Sequence, residues 1–335
     1  MRLHYFDYSR KKSIDTFLKE WENSEETITV NTSGSTGKPK LIKLKKEHML
    51  ISAKKTLAQL SIPTSSTFHL GLSTKTIAGK MMIIRALANN SKLLIGNVSS
   101  DTFSSINEDV HFSALVPLQL QHYLEQTPTT LVDTILVGGA MLSINLEKLS
   151  ANYPKRIYQS YGMTETISHV ALRRIQKEIS PSYHALPGIE FSTNDANELI
   201  IHYPEINPLP ILTTDVVELI DPHTFNWLGR SDFCINTGGI KLFPETIESQ
   251  LANLIPYPIM ITSLPDDRLG SILVLLIETN DSPSFSKDMF SDILGTFEIP
   301  KYFQVLRYFA KTENGKINRT LTEDKISPDA WRKIL

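Results

Sequence analysis

The chain has 335 residues, enough for a large core and more than one domain, and its 41% hydrophobic and 21% charged content is that of a folded enzyme. A formal net charge of −2 gives no general attraction to nucleic acid or to an anionic membrane surface. One cysteine, Cys234, excludes an intrachain disulfide framework; with no secretory leader and no apolar run of about 18 residues, a cytoplasmic protein without membrane insertion is expected.

Residues 12–22 predict an amphipathic helix, with Ile14, Phe17, Leu18 and Trp21 at helical spacing. A β-like run at 27–30 then enters Thr32, Ser33, Gly34, Ser35, Thr36, Gly37, Lys38, Pro39 and Lys40. Such glycines, hydroxyls and lysines can wrap an anion, although a solvent-exposed turn uses the same residues. This is not a Walker A loop: only two residues separate Gly34 from Gly37, and Pro39 stands where the metal-binding hydroxyl is needed. Residues 46–60 again predict a helix, so the local order is strand, glycine-rich loop, helix.

Residues 66–87 combine a strand, a small-residue loop and an apolar helix. Ser73, Thr74 and Lys75, with the amides of the helix start, can hold a carboxylate. His69 either joins them or satisfies a local hydrogen bond, and Lys75 and Lys80 either reach a ligand or face solvent. Short β runs follow at 91–95 and 112–117, then a turn into another helix. An apolar strand from 134 ends at Gly138, Gly139 and Ala140, where backbone can approach a planar ligand or another chain segment. A second strand, 156–160, enters Tyr161. Two neighbouring strand-to-loop crossings at one edge of an α/β layer are the usual place for a ligand crevice. Beyond them, β patterns recur at 198–201, 212–220, 258–262, 271–277 and 302–309, with a tight turn at Gly238 and Gly239 and a helix around 290–297. Glu245 and Glu248 share a helical face, with solvent exposure the simplest reading.

The segment from Thr32 to Lys40 resembles the phosphate loop of the adenylate-forming enzymes, the superfamily of acyl-CoA synthetases, luciferases and peptide-synthetase adenylation domains. Residues 161–165 resemble its Tyr-Gly-x-Thr-Glu motif. The resemblance implies that Tyr161, Gly138, Gly139 and Ala140 border adenosine, that Thr164 contacts the α-phosphate region and that Glu165 binds magnesium. It further implies ribose binding by Asp215, a ribose or phosphate contact for Arg230, a hinge at Asp232, a coenzyme A-side loop at Gly238 and Gly239, and a catalytic lysine at Lys316. Asn236 departs from the lysine common in many relatives. The implied architecture is α/β: the adenylate-forming fold with a truncated large N-terminal domain, 1–231, and a small mobile C-terminal domain, 232–335. Members of the superfamily carry a longer region before the phosphate loop, so a compact enzyme lacking an N-terminal subdomain is expected.

Ser168 and His169 extend the similarity to short bacterial o-succinylbenzoate-CoA ligases of menaquinone biosynthesis. The implied acid pocket comprises His69, Ser73, Thr74, Lys75, Ser168 and His169. The implied reaction uses ATP, Mg2+ and coenzyme A as co-substrate, and passes through an acyl-adenylate to a thioester, AMP and pyrophosphate. Another aryl- or acyl-CoA ligase and a non-catalytic ATP-binding module stay open as alternatives, as does a homodimer.

Overall fold

The computed structural model describes residues 1–31, 41–126, 131–178, 180–252, 254–311 and 317–335. Its first part is an α/β layer: β1 (Arg2–Tyr5), α1 (Lys11–Glu22), β2 (Thr27–Asn31), β3 (Leu41–Lys45), α2 (Lys46–Gln59), β4 (Thr67–Leu70), α3 (Ile77–Ala88), β5 (Lys92–Ile95), β6 (Val110–Leu115), α4 (Pro117–Glu125), β7 (Val132–Val137), α5 (Ile144–Ala151) and β8 (Arg156–Gly162). The remaining strands of the large sheet are β9 (His169–Ile175), β10 (Ser182–Ala185), β11 (Glu190–Thr193), β12 (Glu198–His202), β13 (Ile211–Asp221) and β14 (Thr224–Arg230). They form one twelve-stranded sheet in the order β1-β5-β4-β6-β7-β8-β9-β10-β14-β13-β12-β11. Pairing is parallel from β1 to β8 and antiparallel from there on.

Side-chain alternation on the parallel strands sorts the core into two layers. Phe68, Leu70, Leu93, Ile95 and Phe112 pack with α2 and α3, whereas Leu94, Leu115, Ile135 and Val137 pack with Leu120 of α4 and Leu146 of α5. The helix starts have local causes: Thr76 accepts the Gly79 amide at α3, Pro117 opens α4, and Ser143 accepts the Leu146 amide at α5.

One local arrangement differs from the sequence expectation. Residues 41–45 are not a lead into a helix but a strand that pairs back antiparallel on β2, from Thr27↔Lys45 to Asn31↔Leu41. The alternation of Ile42 and Leu44 inward with Leu41, Lys43 and Lys45 outward makes this a hairpin, and the segment 32–40 connects its two strands.

From residue 235 onward a separate apolar cluster forms. It draws on β15 (Ile235–Thr237), β16 (Ile240–Leu242), α6 (Pro244–Leu251), β17 (Ile259–Asp266), β18 (Gly270–Glu278), α7 (Lys287–Ser291) and β19 (Tyr302–Leu306), with α8 (Arg319–Glu323) and β20 (Arg332–Lys333) beside it. Strands β17-β18-β19-β20 make a four-stranded sheet. The helix expected at 290–297 is instead the short α7; the Gly295 amide turns to the Glu298 carboxylate and ends any helical run. No helix among the described residues is long and apolar enough to cross a membrane.

His69 corrects a second expectation. On β4 it points away from Phe68 and Leu70, into the α4 and α5 layer, where it is fully buried. Its Nε2 faces the Thr102 carbonyl at 3.1 Å, its Nδ1 faces Ser113 Oγ at 2.9 Å, and its ring stacks 4.1 Å from that of Phe103. Burial lowers its pKa to about 3, so the ring is neutral, and both its nitrogens are taken up by partners inside the fold.

A histidine held neutral in the fold and free to charge when unfolded contributes stability above its unfolded pKa near 6.5, and that contribution is lost as pH falls. Below pH 6 the unfolding free energy should therefore drop by about 1.4 kcal/mol per pH unit from this group alone. Urea unfolding at a series of pH values checks this. A wild-type curve that is flat between pH 7 and 5, or a His69→Asn curve with an undiminished acid slope, would contradict it.

Candidate active site

Parallel β7 and β8 are neighbours, so the chain leaving β7 at Gly138 and the end of β8 at Tyr161 lie on one edge of the layer. Gly138 is needed there because a Cβ would sit 2.6 Å from Ser160 Oγ. Gly139 has φ +93°, a left-handed geometry that a side chain would strain, and Gly139 and Ala140 are exposed. Backbone is thus open to a flat ligand at this crossing.

Tyr161 is turned towards the antiparallel half of the sheet. Its hydroxyl donates to Asp215 Oδ2 at 2.7 Å, and Trp227 Nε1 donates to Oδ1 at 3.0 Å. Burial, followed by the charge of Asp215, raises the Tyr161 pKa well above its ordinary value, so the phenol stays a donor. Its ring lies edge-on to Tyr183 and Phe225. Each Asp215 oxygen retains a second lone pair for a ligand hydroxyl. Across the ladder, Asp215 pairs in register with Arg230, whose Nη2 donates to Thr214 Oγ1 at 2.7 Å and to Asp232 Oδ2 at 2.5 Å. Arg230 thus pairs with Asp232 through Nη2, while its Nε has no partner among the described residues.

The turn after β8 holds Thr164 half-buried and Glu165 exposed. Thr166 ties it together, accepting the Met163 amide at 2.9 Å and donating to the Ser168 carbonyl at 2.7 Å. Ile167 sits buried at φ +70°, an unfavoured conformation for a β-branched residue that those bonds hold in place. A lone exposed carboxylate such as Glu165 suits magnesium, which keeps several waters and binds through one or two carboxylates plus phosphate oxygens.

Ser168 and His169 lead to a residue that sequence reasoning missed. Arg85 on α3 is 2% exposed and donates to Ser168 Oγ at 2.5 Å. Ser168 in turn lies 3.3 Å from His169 Nδ1, and His169 Nε2 lies 3.3 Å from Thr56 Oγ1. No carboxylate pairs with Arg85 among the described residues, its Nε has no partner there, and burial lowers its pKa to about 9. His169, held neutral first by burial and then by the Arg85 charge, does nothing to compete for an anion. The only signal in the sequence was an arginine inside the apolar run Met81, Met82, Ile83, Ile84 and Ala86.

Thr74 is buried, Lys75 exposed, and Ser73 accepts the Lys75 amide at 3.2 Å. Lys80 is buried, pairs with Glu20 at 3.2 Å and covers the Phe17 ring. His69 and the Arg85 group lie on opposite faces of the sheet, which divides the expected acid pocket.

Gly238 and Gly239, at φ +57° and +84°, make the turn between β15 and β16. Glu248 is not solvated as expected. Its carboxylate accepts two hydrogen bonds from Arg319 Nη2, at 2.7 and 2.6 Å, and the Ile261 amide at 2.6 Å. Thr32, Ser33, Gly34, Ser35, Thr36, Gly37, Lys38 and Lys40, and likewise Lys316, lie outside the described residues.

Residues 9–199 match the AMP-binding enzyme family. Over 96% of its length the chain is 24% identical to a 2-succinylbenzoate–CoA ligase of Listeria monocytogenes, of which it spans 74%. A solved acyl-CoA synthetase (AMP-forming)/AMP-acid ligase II-like protein of Dyadobacter fermentans is 32% identical, with 93% of each chain covered and a TM-score of 0.61. The o-succinylbenzoate coenzyme A synthetase of Bacillus subtilis, solved with ATP and magnesium ion, shares the fold at a TM-score of 0.80 and 22% identity, over 88% of this chain and 69% of that one.

If Tyr161 and Asp215 form one unit, Tyr161→Phe should cost about 1–3 kcal/mol, because it strips a donor from a buried carboxylate. A double-mutant cycle with Asp215→Ala, read by urea unfolding, should give a coupling of about 0.5–3 kcal/mol. Additivity within about 0.3 kcal/mol would mean the bond is absent in solution.

Proposed function

The chain belongs to the AMP-binding enzyme family, and from that premise we propose that it activates o-succinylbenzoate as its adenylate and passes the acyl group to coenzyme A. Its class, an acid–thiol ligase of the acyl-CoA synthetase type, follows from the family. The substrate rests on one observation: Arg85, buried with no acid beside it among the described residues, at the Ser168 and His169 end of the acid pocket. A buried guanidinium is strongly favoured by an incoming carboxylate, and o-succinylbenzoate has one to spare besides the one that reacts.

In this reading Tyr161, the backbone at Gly138, Gly139 and Ala140, and the Asp215 carboxylate seat adenosine, with Asp215 accepting from the ribose hydroxyls. Magnesium held at Glu165 would neutralise charge on the phosphates. Thr164, the segment 32–40 and Lys316 would serve the reacting phosphate. The free carboxylate of the acid attacks the α-phosphorus, the bond to the β-phosphate breaks and pyrophosphate leaves. Bringing both reactants into one crevice removes most of the entropic cost of their encounter. The part after Asp232 then turns as a unit, so that Gly238 and Gly239 approach the adenylate while the thiolate of coenzyme A attacks its carbonyl and AMP departs. We place the protein in the cytoplasm, where ATP and coenzyme A are available.

A panel of carboxylic acids, scored for pyrophosphate release with and without coenzyme A, tests this. o-Succinylbenzoate should give release and thioester, and Arg85→Lys should raise the KM for the acid roughly 10- to 100-fold with the KM for ATP nearly unchanged. Preference for an aryl acid lacking a second carboxylate, with Arg85→Lys neutral, would favour a different aryl- or acyl-CoA ligase. Nucleotide binding without any acid-dependent pyrophosphate release would leave a non-catalytic ATP-binding module.

A further inference from the structure

Arg10 is a buried arginine that forms no salt bridge among the described residues. Its Nη1 donates to the carbonyls of Leu70 and Gly96, each at 2.6 Å, and its Nη2 to that of Leu72 at 2.5 Å. Gln119, at the start of α4, fills the gap: its Nε2 donates to the Gly71 carbonyl at 3.0 Å and to that of Ser99 at 2.9 Å. Three successive carbonyls of the chain leaving β4 are therefore each gripped by a side chain from a distant element. A strand-to-loop exit ordinarily leaves such groups to water.

The space around this exit is equally determined. A Cβ on Gly71 would lie 2.1 Å from Thr102 Oγ1, and one on Gly79 would lie 2.1 Å from the Ser73 carbonyl. The first turn of α3 is thus pressed against the loop, and Thr76 binds both, donating to the Ser73 carbonyl at 2.8 Å and accepting the Gly79 amide. Loop and helix start must shift together.

We infer that Arg10 and Gln119 are positioning residues for recognition of the acid: by fixing the carbonyls of residues 70–72 they set where Ser73, Thr74 and the Arg85 helix stand. The inference rests on the acid-pocket reading above. Neither side chain has to touch the substrate. Burying a guanidinium against carbonyl dipoles costs desolvation that a simple packing residue would avoid, and in return it holds three backbone carbonyls at once.

The test uses the purified full-length enzyme with Arg10→Met, Arg10→Lys and Gln119→Met. Each is assayed for KM of the acid that the panel selects, KM of ATP, kcat, thermal unfolding and hydrogen exchange of the amides of residues 73–76. Gln119→Met should raise the acid KM about tenfold or more while the ATP KM stays within about twofold, and should speed exchange at 73–76. Arg10→Met should do the same more strongly, with Arg10→Lys recovering part of the loss. Should Arg10→Met not fold, Gln119→Met, which removes only one amide side chain, carries the test. A lowered unfolding temperature with unchanged acid KM, equal rises in both KM values, or unchanged exchange at 73–76 would overturn the inference. Because exchange needs no substrate, it fails independently of the proposed activity: a wild type inactive on o-succinylbenzoate overturns that substrate, not the clamp.

Discussion

Placing a guanidinium where water cannot reach it is costly unless something else answers its charge, and the large layer does this three times with three different answers. Arg173 is answered by an acid, donating to Glu147 and to Gln159, both buried. Arg10 is answered by carbonyl dipoles at the ends of β4 and β5. Among the described residues Arg85 receives only a serine hydroxyl and the sulfur of Met82 at 3.9 Å. The contrast carries more weight than Arg85 alone: the fold has both devices for settling such a charge, and at Arg85 the described residues supply neither.

The change of pairing at β8 explains where the nucleotide-like features collect. Up to β8 the strands run parallel, so their carboxyl ends share one edge, and the exits of β4, β7 and β8 open there. Beyond β8 the sheet turns antiparallel, which lets β13 and β14 bring Asp215 and Trp227 back to the hydroxyl of Tyr161. Residues 54 and 12 positions apart thus share one carboxylate only because the sheet switches sense. The same switch puts Ser168 and His169 at the start of β9, within reach of the α3 layer.

Much of this was legible in the chain, for reasons that differ by residue. Helices α1 and α2 follow from apolar spacing, and the turn at Gly238 and Gly239 from the two positive φ angles it needs. The juxtaposition of Tyr161 with Asp215 was only implied by resemblance, since nothing local connects residues so far apart. Histidines 69 and 169 look alike in sequence but lie on opposite faces, because one residue of register decides the side of a strand. The hairpin of β2 and β3 was missed because Lys43, Lys45 and a following helical pattern hide the alternation of Ile42 and Leu44. Arg85 and Arg10 were overlooked for a related reason: arginine is usually exposed, and only long-range packing reveals when it is not.

The last part of the chain applies the same electrostatic logic to a different end. Arg319 lies three positions after Lys316 and is held at its far end by Glu248 of α6 and by the Ile261 carbonyl of β17 at 3.0 Å. Burial works against the Glu248 charge and lifts its carboxyl to about 7, while the paired guanidinium and the Ile261 amide work for it. Below residue 312, Lys311 bridges Ile317, and the Asn318 amide donates to the Ala310 carbonyl at 2.8 Å. The chain on either side of the segment bearing Lys316 is thus paired to itself, and Arg319 anchors it to the body formed by α6 and the small sheet. For that whole body to turn, the pair Arg230 and Asp232 would have to adjust, an exposed ion pair worth about 1 kcal/mol or less, and so would the bond from Thr246 of α6 to the Leu228 carbonyl of β14 and the packing of Phe243 against Gly229.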